Sequence, residues 1–218
     1  MPDTFTRRTM NKPITLWGAR TARSLRPLWM AEELGIAYEH RPIGPRTGET
    51  QTSEYQQLNR KQKIPFMEDG EVKLSESLAI CRYLRDQYPS PTVLSPEDPI
   101  TKAKEDEWCC YIYGELDETS LYVMRRHGDL GMIYGASDVT VEASKAYAEK
   151  HFDVVAQLLQ QRRYLVGEHF GVADLFLVTC IDWANAYEVT LPQSLQDYRG
   201  YIAERPAYQR AVKLNYPD

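Results

Sequence analysis

Between Pro13 and Ile43 an apolar run, a helical run and a second apolar run follow one another with little chain to spare, and this alternation limits the possible folds more than any other feature. Pro13 to Trp17 reads as a strand that stops at Gly18. Ser24 to Leu34 places Leu25, Leu28, Trp29 and Leu34 near helical spacing and ends at Gly35. Tyr38 to Ile43 reads as a second strand. Joints this tight make a βαβ unit, whose two strands should run parallel. Gly44 to Asn59 is polar and turn-rich, with one short helical turn near Ser53 to Leu58. Ile64 to Glu68 and Glu71 to Leu74 then flank Asp69-Gly70, a strong hairpin signal. Ser77 to Tyr88 follows with Leu78, Ile80, Cys81 and Leu84 on a helical pattern. The order is β-α-β, a polar segment, then β-β-α.

Prolines at 89, 91, 96 and 99 cannot continue a helix and mark residues 89–99 as a linker. Thr101 to Arg126, Ser137 to Arg163, Val172 to Ala186, Gln193 to Glu204 and Pro206 to Lys213 all read as helices. The expected organisation is a flexible extension over 1–12, an α/β domain over 13–88, and an all-helical domain over 100–218. Met10 is an alternative start, and the polar extension lacks the apolar run of a secretory signal. The apolar stretches are far shorter than the roughly 20 residues a membrane span needs. The net charge of −5 gives no electrostatic reason to expect a nucleic-acid partner. Four cysteines have no metal or CxxC spacing, and Cys81 and Cys180 sit among apolar residues as core thiols would. Four scattered histidines form no ligand cluster, so no metal is expected.

Three places can carry chemistry. The first is the turn Gly18 to Arg26, where a helix start offers unpaired amides and the positive end of its dipole to an anion. Thr21 and Ser24 add hydroxyls, and three arginines lie within seven residues. A hydroxyl donating to a thiolate favours the ionised form and lowers its pKa from roughly 8.5; either residue also serves as an ordinary helix cap. The second is Gln62-Lys63-Ile64-Pro65-Phe66. With a cis bond before Pro65, the Ile64 amide and carbonyl would face an extended peptide-like ligand. The third is Glu76-Ser77 at a helix start, where the hydroxyl and amide suit a carboxylate and Glu76 suits an ammonium. Together they can hold a thiol, a peptide backbone and an amino-acid head group.

That combination resembles the cytosolic glutathione S-transferase family over about Ile14 to Leu214. The stretch QKIPFMEDGEVKLSESLAICRYL, Gln62 to Leu84, is similar to the family's glutathione-site signature. Arg20 to Gly35 looks like its first helix, and Tyr164 to Asp174 resembles the stretch that nucleates its helical domain. The resemblance implies a thioredoxin-like first domain with a mixed four-stranded sheet, and an all-α second domain. It implies that Ile64 pairs its backbone with the cysteinyl part of glutathione, that Pro65 is cis, and that Lys63, Glu76 and Ser77 contact the tripeptide. Asp174 would anchor a core helix.

The catalytic position of serine-type classes falls on Thr21, with Ser24 as a second candidate. This likens the chain to bacterial serine- or threonine-dependent members of nu, theta or zeta type. No cysteine lies in the turn, which argues against classes that form mixed disulfides there. Gly171 stands where a capping Ser or Thr is usual. The implied activity is attack of a glutathione thiolate on a small hydrophobic electrophile in an interdomain cleft, as in detoxification. Trp108, Tyr111, Tyr113 and Tyr122 lie where the family places part of that lining, or they pack the core. A glutathione-dependent disulfide or peroxide reductase and a non-enzymatic binding or scaffold module are the alternatives. Glutathione is the expected co-substrate, a homodimer the expected assembly, and the cytoplasm the expected location.

Overall fold

The computed structural model describes residues 13–160 and 162–217; the extension expected over 1–12, with Met10, lies outside the described residues. β1 (Ile14–Trp17), α1 (Ala22–Leu34) and β2 (Tyr38–Arg41) form the expected βαβ unit, with Ile14 opposite Tyr38 in parallel register. A short 3-10 turn (Glu49–Gln51) and α2 (Ser53–Leu58) occupy the polar segment. β3 (Phe66–Asp69) and β4 (Val72–Ser75) then lead into α3 (Ser77–Gln87). The four-stranded sheet has the order β2-β1-β3-β4, with β3 antiparallel to both neighbours. This is the thioredoxin-like arrangement.

Several strand boundaries differ from the sequence reading, among them that of β2, which ends at Arg41 and not at Ile43. Asp69 pairs with Val72 inside the ladder, so the loop is Gly70-Glu71. Gly70, at φ 60°, supplies the left-handed backbone that a short hairpin loop requires. Asp69 is buried and accepts hydrogen bonds from the hydroxyls of Tyr83 (2.9 Å) and Tyr88 (3.2 Å), tying the hairpin to α3. At the other end Ile64 and Pro65 lie outside the ladder, and β3 starts at Phe66.

The rest is helical: α4 (Pro99–Tyr111), α5 (Tyr122–His127), α6 (Gly131–Tyr134), α7 (Asp138–Leu159), α8 (Val172–Ala186), α9 (Gln193–Ala203) and α10 (Pro206–Asn215). The single helix expected over 101–126 is not uniform. Ile112–Leu121 between α4 and α5 is wound in wider turns, and the Tyr122 amide reaches back five residues to the Asp117 carbonyl. Such widening is frequent at functional sites. None of these helices is long and apolar enough to cross a membrane.

One apolar core joins both halves. Its axis is α1, buried at every position from Ser24 to Ala31, which packs against α3, α8 and α10. α8 is likewise buried continuously from Val172 to Ile181. Cys81, Cys109 and Cys180 are buried there, and burial raises all three thiol pKa values, to about 12 for Cys109 and Cys180. Such thiols are inert. Asp174 opens α8: its carboxylate accepts from the amides of Gly171 (2.9 Å) and Leu165 (2.7 Å) and from the Tyr198 hydroxyl (2.6 Å). A Cβ on Gly171 would stand 3.3 Å from the Leu94 Cβ, so the linker is pressed against this cap and leaves little room for a side chain. The Leu94 amide also donates to the Phe170 carbonyl (2.7 Å).

Candidate active site

A cleft of about 510 Å³ opens between the sheet's loops and the helical half. Thr21, Lys63, Ile64, Pro65, Glu76 and Ser77 all line it, so six of the seven residues singled out in the sequence meet at one place. Ser24 does not.

The first wall is the mouth of α1. Gly18, at φ 123°, lets β1 end where a Cβ would come within 3.0 Å of the Ile64 Cβ and 3.2 Å of the Ser24 Cβ. Thr21 caps α1, which therefore starts at Ala22, two residues earlier than its apolar pattern suggests. The Thr21 Oγ1 accepts from the Ser24 amide (2.9 Å), and the Ser24 Oγ accepts from the Thr21 amide (3.2 Å). The two hydroxyls stand 2.8 Å apart. Ser24 is 1% exposed, and its single proton has the Asn215 Oδ1 (2.8 Å) and the Thr21 carbonyl (3.0 Å) as further acceptors. It is enclosed and satisfied. Of the two hydroxyl residues of this turn, Thr21 lines the cleft and Ser24 does not.

Asn215, fully buried at the end of α10, braces this turn. Its amide donates to the Thr21 carbonyl (3.0 Å), and its own carbonyl accepts from the Arg20 amide (2.8 Å).

The second wall is the loop before β3. The Ile64-Pro65 bond is cis, as the resemblance implied. Among the described residues the N–H and C=O of Ile64, a residue that lines the cleft, have no hydrogen-bond partner. The Lys63 carbonyl is held from behind by the Tyr55 hydroxyl (2.7 Å) and the Asn59 amide (2.9 Å) of the α2 segment.

The third wall is the start of α3. Glu76 pairs with Lys61 at 3.0 Å on the surface. Buried Ser77 accepts from the Arg26 Nη1 at 3.4 Å, which leaves its own proton to give. Three lining residues other than glycine have positive φ: Arg46 (62°), Gln62 (55°) and Glu76 (74°). Each such residue costs on the order of 1 kcal/mol and persists where the surroundings enforce it, as they do around binding sites.

The arginines of the turn do not act as the sequence suggested. Arg26 is fully buried and donates to the Asp117 Oδ2 (2.6 Å) and the Thr179 Oγ1 (2.9 Å), with its guanidinium 4.1 Å from the Phe176 ring centre. Arg23 donates to the Asp117 Oδ1 (3.0 Å) and to Glu118 (3.0 Å) and lies over the Tyr122 ring at 4.5 Å. Their charges are spent on the widened helix, and only Arg20 stays exposed. Burial pushes the Asp117 pKa up, but the Arg26 and Arg23 guanidiniums outweigh it and hold the carboxyl below its usual range. This triad escaped the sequence reading because Asp117 lies 91 positions from Arg26.

A second cavity of about 540 Å³ adjoins the first and shares Thr21, Ala22, Arg125 and Trp183 with it. Of the four aromatic residues proposed as lining, Tyr113 and Tyr122 border the first cleft. Trp108 and Tyr111 meet edge to face, Tyr111 packs against His151, and neither lines either cavity.

Residues 12–86 match the family described as "Glutathione S-transferase, N-terminal domain", and residues 138–210 match "Glutathione S-transferase, C-terminal domain". A glutathione S-transferase of Triticum aestivum is 29% identical over 215 residues, covering 95% of this chain and 96% of that protein. A theta class glutathione S-transferase of Xanthomonas axonopodis pv. citri, solved with glutathione bound, is 28% identical with a TM-score of 0.78, covering 93% and 98% of the two chains. A glutathione transferase homolog of Lodderomyces elongisporus, crystallised with two GSH per subunit, has the same fold at a TM-score of 0.84 and 21% identity, covering 94% and 100%.

Proposed function

This chain belongs to the glutathione S-transferase family, and from that premise we propose that it binds glutathione in the first cleft, stabilises its thiolate with the Thr21 hydroxyl, and delivers the sulfur to an electrophile in the adjoining cavity. The observation that carries this reading is the position of Thr21: it is the hydroxyl-bearing residue at the mouth of α1 that lines both cavities. Ile64 offers an amide and a carbonyl to the cysteinyl unit. Ser77 donates to the γ-glutamyl carboxylate, and the guanidinium behind it strengthens that donation by polarising the hydroxyl. Glu76 takes the ammonium, and Lys63 reaches toward the tripeptide from the rim. Ser24 and Asn215 position Thr21 and do not touch the sulfur.

The hydroxyl and the positive end of α1 both favour the charged sulfur, which is the nucleophile. In conjugation the thiolate forms a carbon–sulfur bond, the leaving group departs with its electron pair, and the thiol proton goes to solvent.

Thr21→Val removes the donor and keeps the shape. The pKa of bound glutathione should rise by about one unit or more, cutting the thiolate fraction at neutral pH roughly tenfold, with glutathione affinity nearly unchanged. Titrating the thiolate's ultraviolet absorbance in the complex checks this; an unaltered titration moves the role to backbone amides. Ser77→Ala should weaken glutathione binding about tenfold, the value of a hydrogen bond to a charged group, with little change in melting temperature. Calorimetry that returns equal affinities would refute the carboxylate assignment.

Disulfide reduction is a second reading, favoured by the adjoining cavity, which has room for a second thiol-bearing molecule. There the thiolate attacks one sulfur of a disulfide, forms a mixed disulfide and expels the other sulfur as a thiolate. Rates on an aryl halide and a small disulfide separate the two readings, and faster turnover of the disulfide would reverse their order.

A further inference from the structure

Cations outnumber carboxylates around both cavities, although the chain as a whole carries a net charge of −5. The first cleft is lined by Arg23, Arg46, Lys63 and Arg125 against Glu76 and Glu118. The second is lined by Arg20, Arg125 and Arg199 against Asp129 and Asp182. Most of these charges are already engaged. Arg23 is paired with Asp117 and Glu118, and Arg199 with Asp182. Glu76 is paired with Lys61, and Asp129 accepts from the Tyr187 hydroxyl. Among the described residues no carboxylate forms an ion pair with Arg125 or Arg20. Arg125 is half-buried and borders both cavities, so its charge lies where the thiolate's target must sit. Trp183, shared by both cavities, and Tyr187 stand beside it with ring centres 6.5 Å apart.

We infer that the second cavity takes a carboxylate-bearing aromatic electrophile, with Arg125 as the partner of its carboxylate and Trp183 and Tyr187 against its ring. This rests on the transferase reading and goes beyond it by naming the class of second substrate. A half-buried guanidinium without an anionic partner is an incomplete site: a carboxylate supplies two acceptors in the planar geometry its fork presents. A neutral ring of the same size gains only the apolar contact. Arg20, exposed at the rim of the second cavity, adds attraction at longer range.

The experiment compares a chlorodinitrobenzoate with the matching chlorodinitrobenzamide as acceptors of glutathione. In both, the carbon–sulfur bond forms, chloride leaves with its electron pair, and each enzymatic rate is divided by the uncatalysed rate with glutathione. The full chain should favour the benzoate in kcat/KM by about five- to tenfold. Arg125→Gln should abolish that preference by raising KM for the benzoate about five- to tenfold more than KM for the benzamide. Equal normalised rates in the parent chain, or equal losses on both compounds in the variant, would overturn the inference and leave the transferase reading standing. Turnover of neither compound would count against the transferase reading itself. In that case calorimetry with the two preformed glutathione conjugates still decides: tighter binding of the carboxylate conjugate, lost in Arg125→Gln, supports the inference, and equal binding overturns it.

Discussion

Replacing Asp117 with alanine is expected to cost about 3–5 kcal/mol of folding stability, a large part of the roughly 5–15 kcal/mol that holds a protein of this kind together. The reason lies in Arg26 more than in Asp117. Without the carboxylate, a fully buried guanidinium is left with the Thr179 and Ser77 hydroxyls at 2.9 and 3.4 Å, the Cys180 sulfur at 3.4 Å and the face of Phe176, all neutral. Arg23 keeps Glu118 and suffers less. Asp117→Asn retains the shape and should lose about half as much. Urea unfolding of both variants checks the figure, and a loss below about 1 kcal/mol would mean that the guanidinium finds water. Glutathione affinity should fall as well, because Arg26 sets the direction in which Ser77 gives its proton. The pH dependence has a definite sign. Asp117 has a folded pKa below its unfolded one, so its contribution is complete above the unfolded value near 3.8 and is lost as pH falls through the folded value.

Asp174→Ala should cost a comparable amount, about 3–5 kcal/mol, by a different route. It leaves three buried donors without an acceptor: the amides of Leu165 and Gly171 and the Tyr198 hydroxyl. Among the described residues no guanidinium pairs with this carboxylate. Burial therefore dominates and raises its pKa to about 6, with the three neutral donors pulling only part of the way back. The linkage now has the opposite sign from that of Asp117. A raised folded pKa contributes stability that is full below the unfolded value near 3.8 and lost as pH rises through about 6. Asp174→Asn does not titrate, so its deficit relative to the parent chain should shrink between pH 4 and pH 7, by roughly 3 kcal/mol at most. Denaturation at both pH values measures this, and a deficit that grows with pH would refute it.

These two carboxylates illustrate what a sequence discloses. Asp174 was recognisable through the resemblance that its stretch, Tyr164 to Asp174, bears to the family. The limits of α8, Val172–Ala186, were legible from its apolar run, and so were the βαβ order and the hairpin, whose loop falls one position later than Asp69-Gly70. Asp117 was not legible, since its meaning depends on which face of a distant helix it meets. The widened turns from Ile112 to Leu121 were hidden too, because a shift from four- to five-residue spacing leaves little trace in the apolar pattern. Within the site, the residues of the motifs around Ile64 and Ser77 line one cleft. The motifs could not separate Thr21 from Ser24, which share one reciprocal cap and differ only in which oxygen the core encloses. Arg125 and Trp183 gave no local signal, since their place in the lining is set by how α5 and α8 face the cleft.

The brace from Asn215 carries a consequence for biosynthesis. The turn that presents the Thr21 oxygen is tied down by a residue 194 positions downstream. During vectorial translation β1 and α1 emerge well before α10, so the Thr21 turn receives its strut only after α10 has been made. On the reading proposed above, the hydroxyl that meets the sulfur is fixed in place late in synthesis.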